Sequence, residues 1–417
     1  MEQFDIYDAV LAQQDCMIRE RRYLHEHPEL SCREEKTCAY IAQSLRDLGM
    51  EVHEVENGGV IGVLNGSAGG PAILLRADVD ALPVQESERN LSGLRTCRSE
   101  VPGVMHACGH DAHTAMLLCA ARILSRVHLD VPVLFVFERG EESNAGIFTL
   151  LPYLDAHFNI GACYATHVRW DIPAGHFAIC RGTAMAGGFG FKIEICGRGG
   201  HGSRADLAGS PIDCFAAMHT RLNMLRMTAV EPDQVLTYSV GTVHAGEMLN
   251  VIPDTLCFSG TVRTYDTANA GEHFAAAMKK VIRDTAEEYG CSINILHFPR
   301  LLYETANNEP LRLRLLDAVR EQLPEVPVTE VKPWMASETM SAYLKWWPGV
   351  LSFTGIRNEQ KGSGAGHHTS LFDIDEDAMV SGAAAAVLAA LEWNRMPEPV
   401  PEGFRTEPLA ELLKRRL

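Results

Sequence analysis

Long apolar runs are missing from this sequence. It has no stretch of about 18 or more uninterrupted apolar residues, and the opening Met1-Glu2-Gln3-Phe4-Asp5 lacks the basic-then-apolar order of a secretory leader. A membrane span is therefore not expected, and the expected address is the cytoplasm. A positive charge balance is also missing, since 37 Lys and Arg stand against 54 Asp and Glu for a formal net charge of -17. Nucleic acids and anionic membranes require a cationic face, so neither is an expected partner, and the acidity reads as solubility. Although there are twelve cysteines, none falls in a Cys-x-x-Cys spacing and they are scattered along the chain. They read as reduced, buried small apolar residues rather than a disulfide framework. Internal repeats and low-complexity tracts are absent as well.

The sequence does have material for a large core. With 417 residues and 46% hydrophobic content, the chain favours two or more structural domains. From Ile6 to about Leu48 apolar residues recur at helical spacing, broken at His27-Pro28-Glu29-Leu30, which predicts two helices joined by a turn. Beyond Gly49 the pattern changes: Glu51 to Glu56 alternates, and Val60 to Leu64 and Ala72 to Ala77 are short and apolar. A helix over Asp111 to Val127 then precedes an apolar strand over Val131 to Phe137. Strands alternating with helices argue for an α/β sheet covered on both faces.

Around Gly182 to Gly190 the chain becomes rich in Gly and Ala. The segments that follow read as a strand (Phe189 to Ile195), a helix (Pro211 to Met227), two strands (Gln234 to His244, Thr255 to Tyr265), a helix (Gly271 to Tyr289) and a last strand. This is the ferredoxin-like order. Helices and apolar strands then resume, ending in a helix over Ala378 to Trp393. The expected division is residues 1–184 and 299–417 as two parts of one domain, with 185–298 inserted between them.

The densest chemistry lies in Met105-His106-Ala107-Cys108-Gly109-His110-Asp111-Ala112-His113, where a loop feeds a helix. Thiolate and neutral imidazole are good ligands for Zn²⁺ and related ions, and a carboxylate can hold each imidazole's other nitrogen. Phe135-Val136-Phe137-Glu138-Arg139-Gly140-Glu141-Glu142 delivers two adjacent acids to the carboxyl end of a strand, where ligands gather in open α/β sheets. One acid can bind metal while its neighbour takes a proton from activated water. His167 follows another short apolar run, and Gly364-Ala365-Gly366-His367-His368 is a flexible loop with two imidazoles. Arg76-Ala77-Asp78-Val79-Asp80 adds two acids after a strand, of which Asp80 suits the second nitrogen of a ligating histidine. Each motif alone is weak. Together they supply the five or so side chains that a dinuclear site needs.

These residues resemble the aminoacylase and amidohydrolase group of dinuclear metallopeptidases, which includes hippurate hydrolases and plant auxin-conjugate hydrolases. The shared pieces run nearly end to end: His25 to Leu30, Arg76 to Gln85, Gly103 to His113, Glu141-Glu142, His167, Gly199-Gly200-His201-Gly202, Asn250 to Asp254, Gly260 to Arg263, and His368 to Glu376. The resemblance implies an α/β fold in which a mixed-sheet catalytic domain, sandwiched by helices, carries an inserted ferredoxin-like α+β dimerisation, or lid, domain. It implies two divalent metal ions per subunit, Zn or Mn first and Co or Ni as alternatives, held by Cys108, His110, Glu142, His167 and His368. Counting back from Phe372 selects His368, with His367 one residue away. Glu141 would be the general base in cleaving N-acyl amino acids or related small amide conjugates. His201, contributed to a neighbouring active site in a homodimer, would stabilise the oxyanion, while Asn250 and Arg263 would orient substrate.

This sequence departs from the family pattern in two places. Glu138-Arg139-Gly140 stands where many relatives have Gln-Pro-Ala, and Ser337-Glu338-Thr339-Met340 replaces Ser-Glu-Asp-Phe. The carboxylate pair survives the first change, and the second bears on substrate preference. Two other readings of the same residues are a thiol hydrolase using Cys108 with a histidine base and a non-catalytic small-ligand-binding relative.

Overall fold

Every residue of Ala72–Asp78 and Val133–Glu138 is buried. Strands buried along their whole length need cover on both faces, and the structure, a computed structural model that describes residues 5–415, provides it. These two strands pair in parallel at the middle of an eight-stranded mixed sheet. Its order is Glu51–Val55, Gly59–Leu64, Val133–Glu138, Ala72–Asp78, Ile160–Pro173, Gly349–Arg357, Phe177–Ala178 and Val328–Thr329. Gly59–Leu64 runs antiparallel to Val133–Glu138, while Ile160–Pro173 is parallel to both of its neighbours.

Side chains alternate across a strand. Ile73, Leu75 and Ala77 therefore share one face with Val133, Phe135 and Phe137, and all six pack into one core with the helices His110–Leu124 and Met379–Arg395. The first of these helices is buried except for Arg122. The second reaches it through a run of small residues, Gly382 to Ala386. A Cβ at Gly382 would stand 2.3 Å from the Met116 sulfur and 2.7 Å from Thr354 Oγ1, so the close approach of the two helices depends on the missing side chain.

The N-terminal segment differs from expectation. Three helices, Ile6–Leu11, Gln14–Glu26 and Glu35–Asp47, stand where two were predicted, and the extra break at Ala12-Gln13 carries neither Gly nor Pro to announce it. The turn after Glu26 is where His27-Pro28 placed it.

The chain divides into two units, one ending its first run at Ala184 and resuming over Ala306–Lys332 and Ala342–Leu409. The other holds Met185–Thr305, Pro333–Ser341 and the chain from Ala410 onward. Within this second unit Gly187–Cys196, Pro211–Thr228, Leu236–Ala245, Thr255–Thr264, Glu272–Glu288 and Ser292–His297 follow as strand, helix, strand, strand, helix, strand. The four strands form one antiparallel sheet in the order Leu236–Ala245, Thr255–Thr264, Gly187–Cys196, Ser292–His297, which is the ferredoxin-like arrangement. Phe189, Phe191, Ile193 and Ile195 turn to a core shared with Cys214, Met218, Phe274 and Met278 of the helices, whereas Lys192 between them is exposed. Ser210 caps the first helix by accepting the Asp213 amide, with Pro211 at the position where a missing N–H costs nothing. No helix among the described residues is long and apolar enough to cross a membrane.

Gly382→Val should destabilise the protein by about 1–3 kcal/mol through overpacking. The measurement is a lowered urea midpoint relative to Gly69→Val, a position with no atom within 4 Å of the added Cβ.

Candidate metal centre

The carboxyl ends of the parallel strands place the chemistry. Asp78 and Glu138 stand side by side as the last residues of their strands. His167 lies in Ile160–Pro173, two residues past Ala165, the partner of Arg76. Just beyond the first two strand ends come the Gly140–Asn144 turn and the loop that enters the helix at His110. Gly109 makes that entry at φ +85, and a Cβ there would lie 2.4 Å from Val168 Cγ2, so the residue between Cys108 and His110 must be glycine.

Cys108, His110 and Glu142 each present a ligand atom within 4.8 Å of the other two. His167 Nε2 lies 3.6 Å from Cys108 Sγ, and His368 Nε2 lies 3.2 Å from Glu142 Oε1. The structure thus gathers all five of the expected ligands, although they come from four separate segments. His368, rather than His367, faces Glu142; it sits at φ +63 in a loop anchored by its own amide, which donates to Ala107 O at 2.8 Å. Glu141 precedes Glu142 in the same turn and is 8% exposed.

Two of the three imidazoles are oriented from behind. His110 Nδ1–H donates to Asp80 Oδ1 at 3.0 Å, as expected of Asp80, and His167 Nδ1–H donates to the Val168 carbonyl at 2.7 Å. In the neutral rings the Nε2 lone pairs therefore face the cluster. His110 Nε2 and Glu142 Oε1 are buried without any hydrogen bond. Buried polar atoms without a hydrogen bond are costly, and an imidazole nitrogen beside a carboxylate oxygen and a sulfur fits a divalent cation.

Without a cation, the buried charges favour a proton on His110, which metal binding would have to displace. Burial would lower the His110 pKa, but the Asp78 charge and the hydrogen bond to Asp80 outweigh it and hold the ring well above the usual range. Burial drives the Cys108 thiol well above its ordinary value and His167 well below its own. An activated cysteine–histidine pair needs the opposite shifts, so the Cys108–His167 contact does not make a nucleophile by itself.

Sequence reasoning left His113 and Asp78 without a role. His113 Nδ1–H donates to Asp78 Oδ1 at 2.5 Å, and its Nε2 accepts the Val168 amide at 2.9 Å. Both ring nitrogens are engaged, so His113 braces the strand next to His167 even though Asp78, His110, His113 and His167 together also satisfy ligand spacing. The signal available was its place on the helix, three residues after His110. His106, from the same motif, is buried with neither ring nitrogen hydrogen-bonded, and burial pushes it down to about 4.

The other three expected residues belong to the second unit. His201 pairs with Val251 in a two-stranded piece, and its Nδ1 accepts the Ser203 amide at 3.1 Å. Asn250 lies beside it, its carbonyl accepting the Gly202 amide at 2.8 Å. Arg263 is half-buried on Thr255–Thr264 and has no acidic partner among the described residues.

A buried thiol, imidazoles and carboxylates at the carboxyl edge of a largely parallel sheet define a metal-dependent hydrolase. The family model for peptidase family M20/M25/M40 matches residues 74–392, and the chain belongs to that family. It is 34% identical over 388 residues to thermostable carboxypeptidase 1 of Saccharolobus solfataricus, covering 91% of this chain and 96% of that one. It is 32% identical over 385 residues to IAA-amino acid hydrolase ILR1-like 2 of Arabidopsis thaliana, covering 91% and 85%. Among solved structures, the YXEP protein of Bacillus subtilis, a dinuclear metal-binding peptidase of the M20 family, superposes with a TM-score of 0.77 at 30% identity, covering 91% of this chain and 98% of that one. The resemblance read from the motifs therefore holds, and the protein is a metal-dependent hydrolase.

His113→Phe keeps the ring's bulk but removes both hydrogen bonds. Metal affinity should fall about 10–100-fold, the usual cost of losing an orienting partner. Titration of the apo protein followed by elemental analysis checks this.

Proposed function

We propose that this protein hydrolyses the amide bond of N-acyl amino acids or related small amide conjugates, with Cys108, His110, Glu142, His167 and His368 holding two divalent ions. Convergence of these five side chains around the Glu142 carboxylate and a His110 Nε2 that is buried without a hydrogen bond is the observation that carries the reading. The thiolate and imidazole donors suit Zn, while Mn, Co and Ni follow from the resemblance, because ligand sets of this kind accept several ions. Bound there, the ions would supply Lewis acidity that lowers the pKa of a water and polarises the amide carbonyl.

The chain's own groups do the rest. Glu141 takes a proton as water adds to the carbonyl carbon, then returns it to the amine nitrogen as the C–N bond breaks, releasing a carboxylic acid and an amine. The His201 Nδ1 accepts a main-chain N–H, so in the neutral ring the proton is on Nε2, ready to donate to the developing oxyanion. Arg263 lacks an acidic partner, which suits it to a substrate carboxylate, and Asn250 stands ready as a second polar contact. The activities named for the relatives, carboxypeptidase and IAA-amino acid hydrolase, support this substrate class.

Residues 185–298 act as the dimerisation domain in this reading, with His201 serving the neighbouring subunit. The outer strand Leu236–Ala245 supports it by leaving one backbone edge unpaired within the described sheet, with Val243, Met248 and the fully exposed Leu249 nearby.

Glu141→Gln should lower kcat by about 10²–10⁴-fold while leaving metal content intact. The assay is product release across N-acetyl, benzoyl and indole-acyl amino acids and dipeptides, read by mass spectrometry with metal added; undiminished turnover rejects the role. Mixed dimers of a His201→Ala and a Glu141→Gln subunit should regain activity that neither homodimer shows. Inactive mixed dimers of verified composition would count against donation across subunits.

A further inference from the structure

The turn that carries Glu141 and Glu142 lies beyond its strand, which ends at Glu138, and Gly140 bends it at φ +61. Two carboxylates from elsewhere in the chain hold its two ends. Asp80 Oδ2 accepts the Glu142 amide at 3.0 Å. At the other end the fully buried Glu34 accepts the Gly140 amide at 2.7 Å and Arg139 Nε at 2.8 Å, and its Oε1 also takes the Cys32 amide at 3.0 Å. The Arg139 amide donates to Gly58 O at 3.0 Å, which fixes the arginine's backbone as well. Its contact with Glu35 is on an exposed flank and contributes little.

We infer that Glu34 and Arg139 are positioning residues for Glu141, locking the entry to the turn while Asp80 separately holds Glu142. The inference rests on the base role proposed for Glu141. Glu34 needs the arginine because a buried carboxylate without a counter-charge is costly, and Arg139 is brought to it by the strand end that also delivers the base. The two holds divide the labour: loosening the Glu34 end lets the base wander, and the metal-facing carboxylate keeps its own tether.

The test compares Glu34→Ala, Glu34→Gln and Arg139→Met, each alone and combined with Glu141→Gln, in metal-loaded full-length protein acting on an N-acyl amino acid. Glu34→Ala is expected to lower kcat about 100-fold, the cost of a misplaced catalytic group. KM should change by less than about twofold, and metal content should not change. Glu34→Gln keeps an acceptor for the Gly140 amide and should recover much of the loss. In the Glu141→Gln background Glu34→Ala should cost nothing more, because a residue that acts only through the base has nothing left to position.

Wild-type kcat in Glu34→Ala, a loss matched by lost metal, or an equal loss in the Glu141→Gln background each overturns the inference. If Glu34→Ala fails to fold, Arg139→Met, which leaves the Gly140 bond in place, is read by the same criteria. Full turnover by Glu141→Gln alone would sink the base reading itself, an outcome distinct from any of these.

Discussion

Asp80 divides its two carboxylate oxygens among three donors, and the candidate site depends on that division. Oδ1 takes the His110 ring proton, while Oδ2 takes the Ser31 hydroxyl at 2.6 Å and the Glu142 amide. One rigid group at a strand end thus sets the tautomer of one proposed ligand and the height of another. Burial would raise its pKa, but the hydrogen bond and charge of His110 dominate and keep it ionised. Had Asp80 been free to protonate, the ring and the turn would lose their common reference.

Behind this group lies a second layer of buried charge. Arg76 reaches Asp78 at 2.8 Å and Glu138 at 2.9 Å, and Asp78 in turn holds His113. Burial would raise the Asp78 pKa, yet His110, His113 and Arg76 together hold it well below the usual range. Glu138, where many relatives carry glutamine, is accommodated because the same arginine serves both acids. A buried charge is tolerated when it is paired and hydrogen-bonded, and removing one partner from such a set costs about 3–5 kcal/mol. The second departure in this segment also acquires a function: Arg139, in place of proline, brings a guanidinium to Glu34.

Much of this was legible in the sequence because it is written locally. Continuous apolar runs marked the central strands, helical periodicity marked His110–Leu124 and Met379–Arg395, and the five proposed ligands lay in short motifs at strand ends. The structure brings all five together. What stayed hidden is non-local or unpunctuated. Glu34 and Arg139 are 105 positions apart, and no pattern in either segment says that they meet. His113 had no role in the sequence reading, and only the Val168 amide on its Nε2, with Asp78 on its Nδ1, shows that it is a brace. The break at Ala12-Gln13 has no Gly or Pro, so periodicity ran straight through it. The grouping of Pro333–Ser341 with the second unit is likewise a matter of tertiary contact.

The loop bearing His368 raises the question of what orders a ligand that no helix or strand carries. Arginines do it. Arg95 donates to the carbonyls of Ser370 and Phe372 at 3.0 and 2.9 Å and pairs with Asp373 at 3.1 Å, gripping the chain just past the histidine. Its remaining charge meets Glu86 at 3.2 Å; Glu86 holds His25, and His25 and Arg21 both meet Asp111, the residue after His110. A continuous ionic chain therefore runs from the His368 loop to the helix that begins at His110. Guanidinium suits the task because its fixed fork of donors spans two carbonyls and a carboxylate at once, which an ammonium cannot do in one plane. The positive φ of His368 is a strained choice for a residue with a side chain, and strain of that kind persists only where the surroundings over-determine it. The arginine grip, together with the bond from the His368 amide to Ala107, supplies that over-determination.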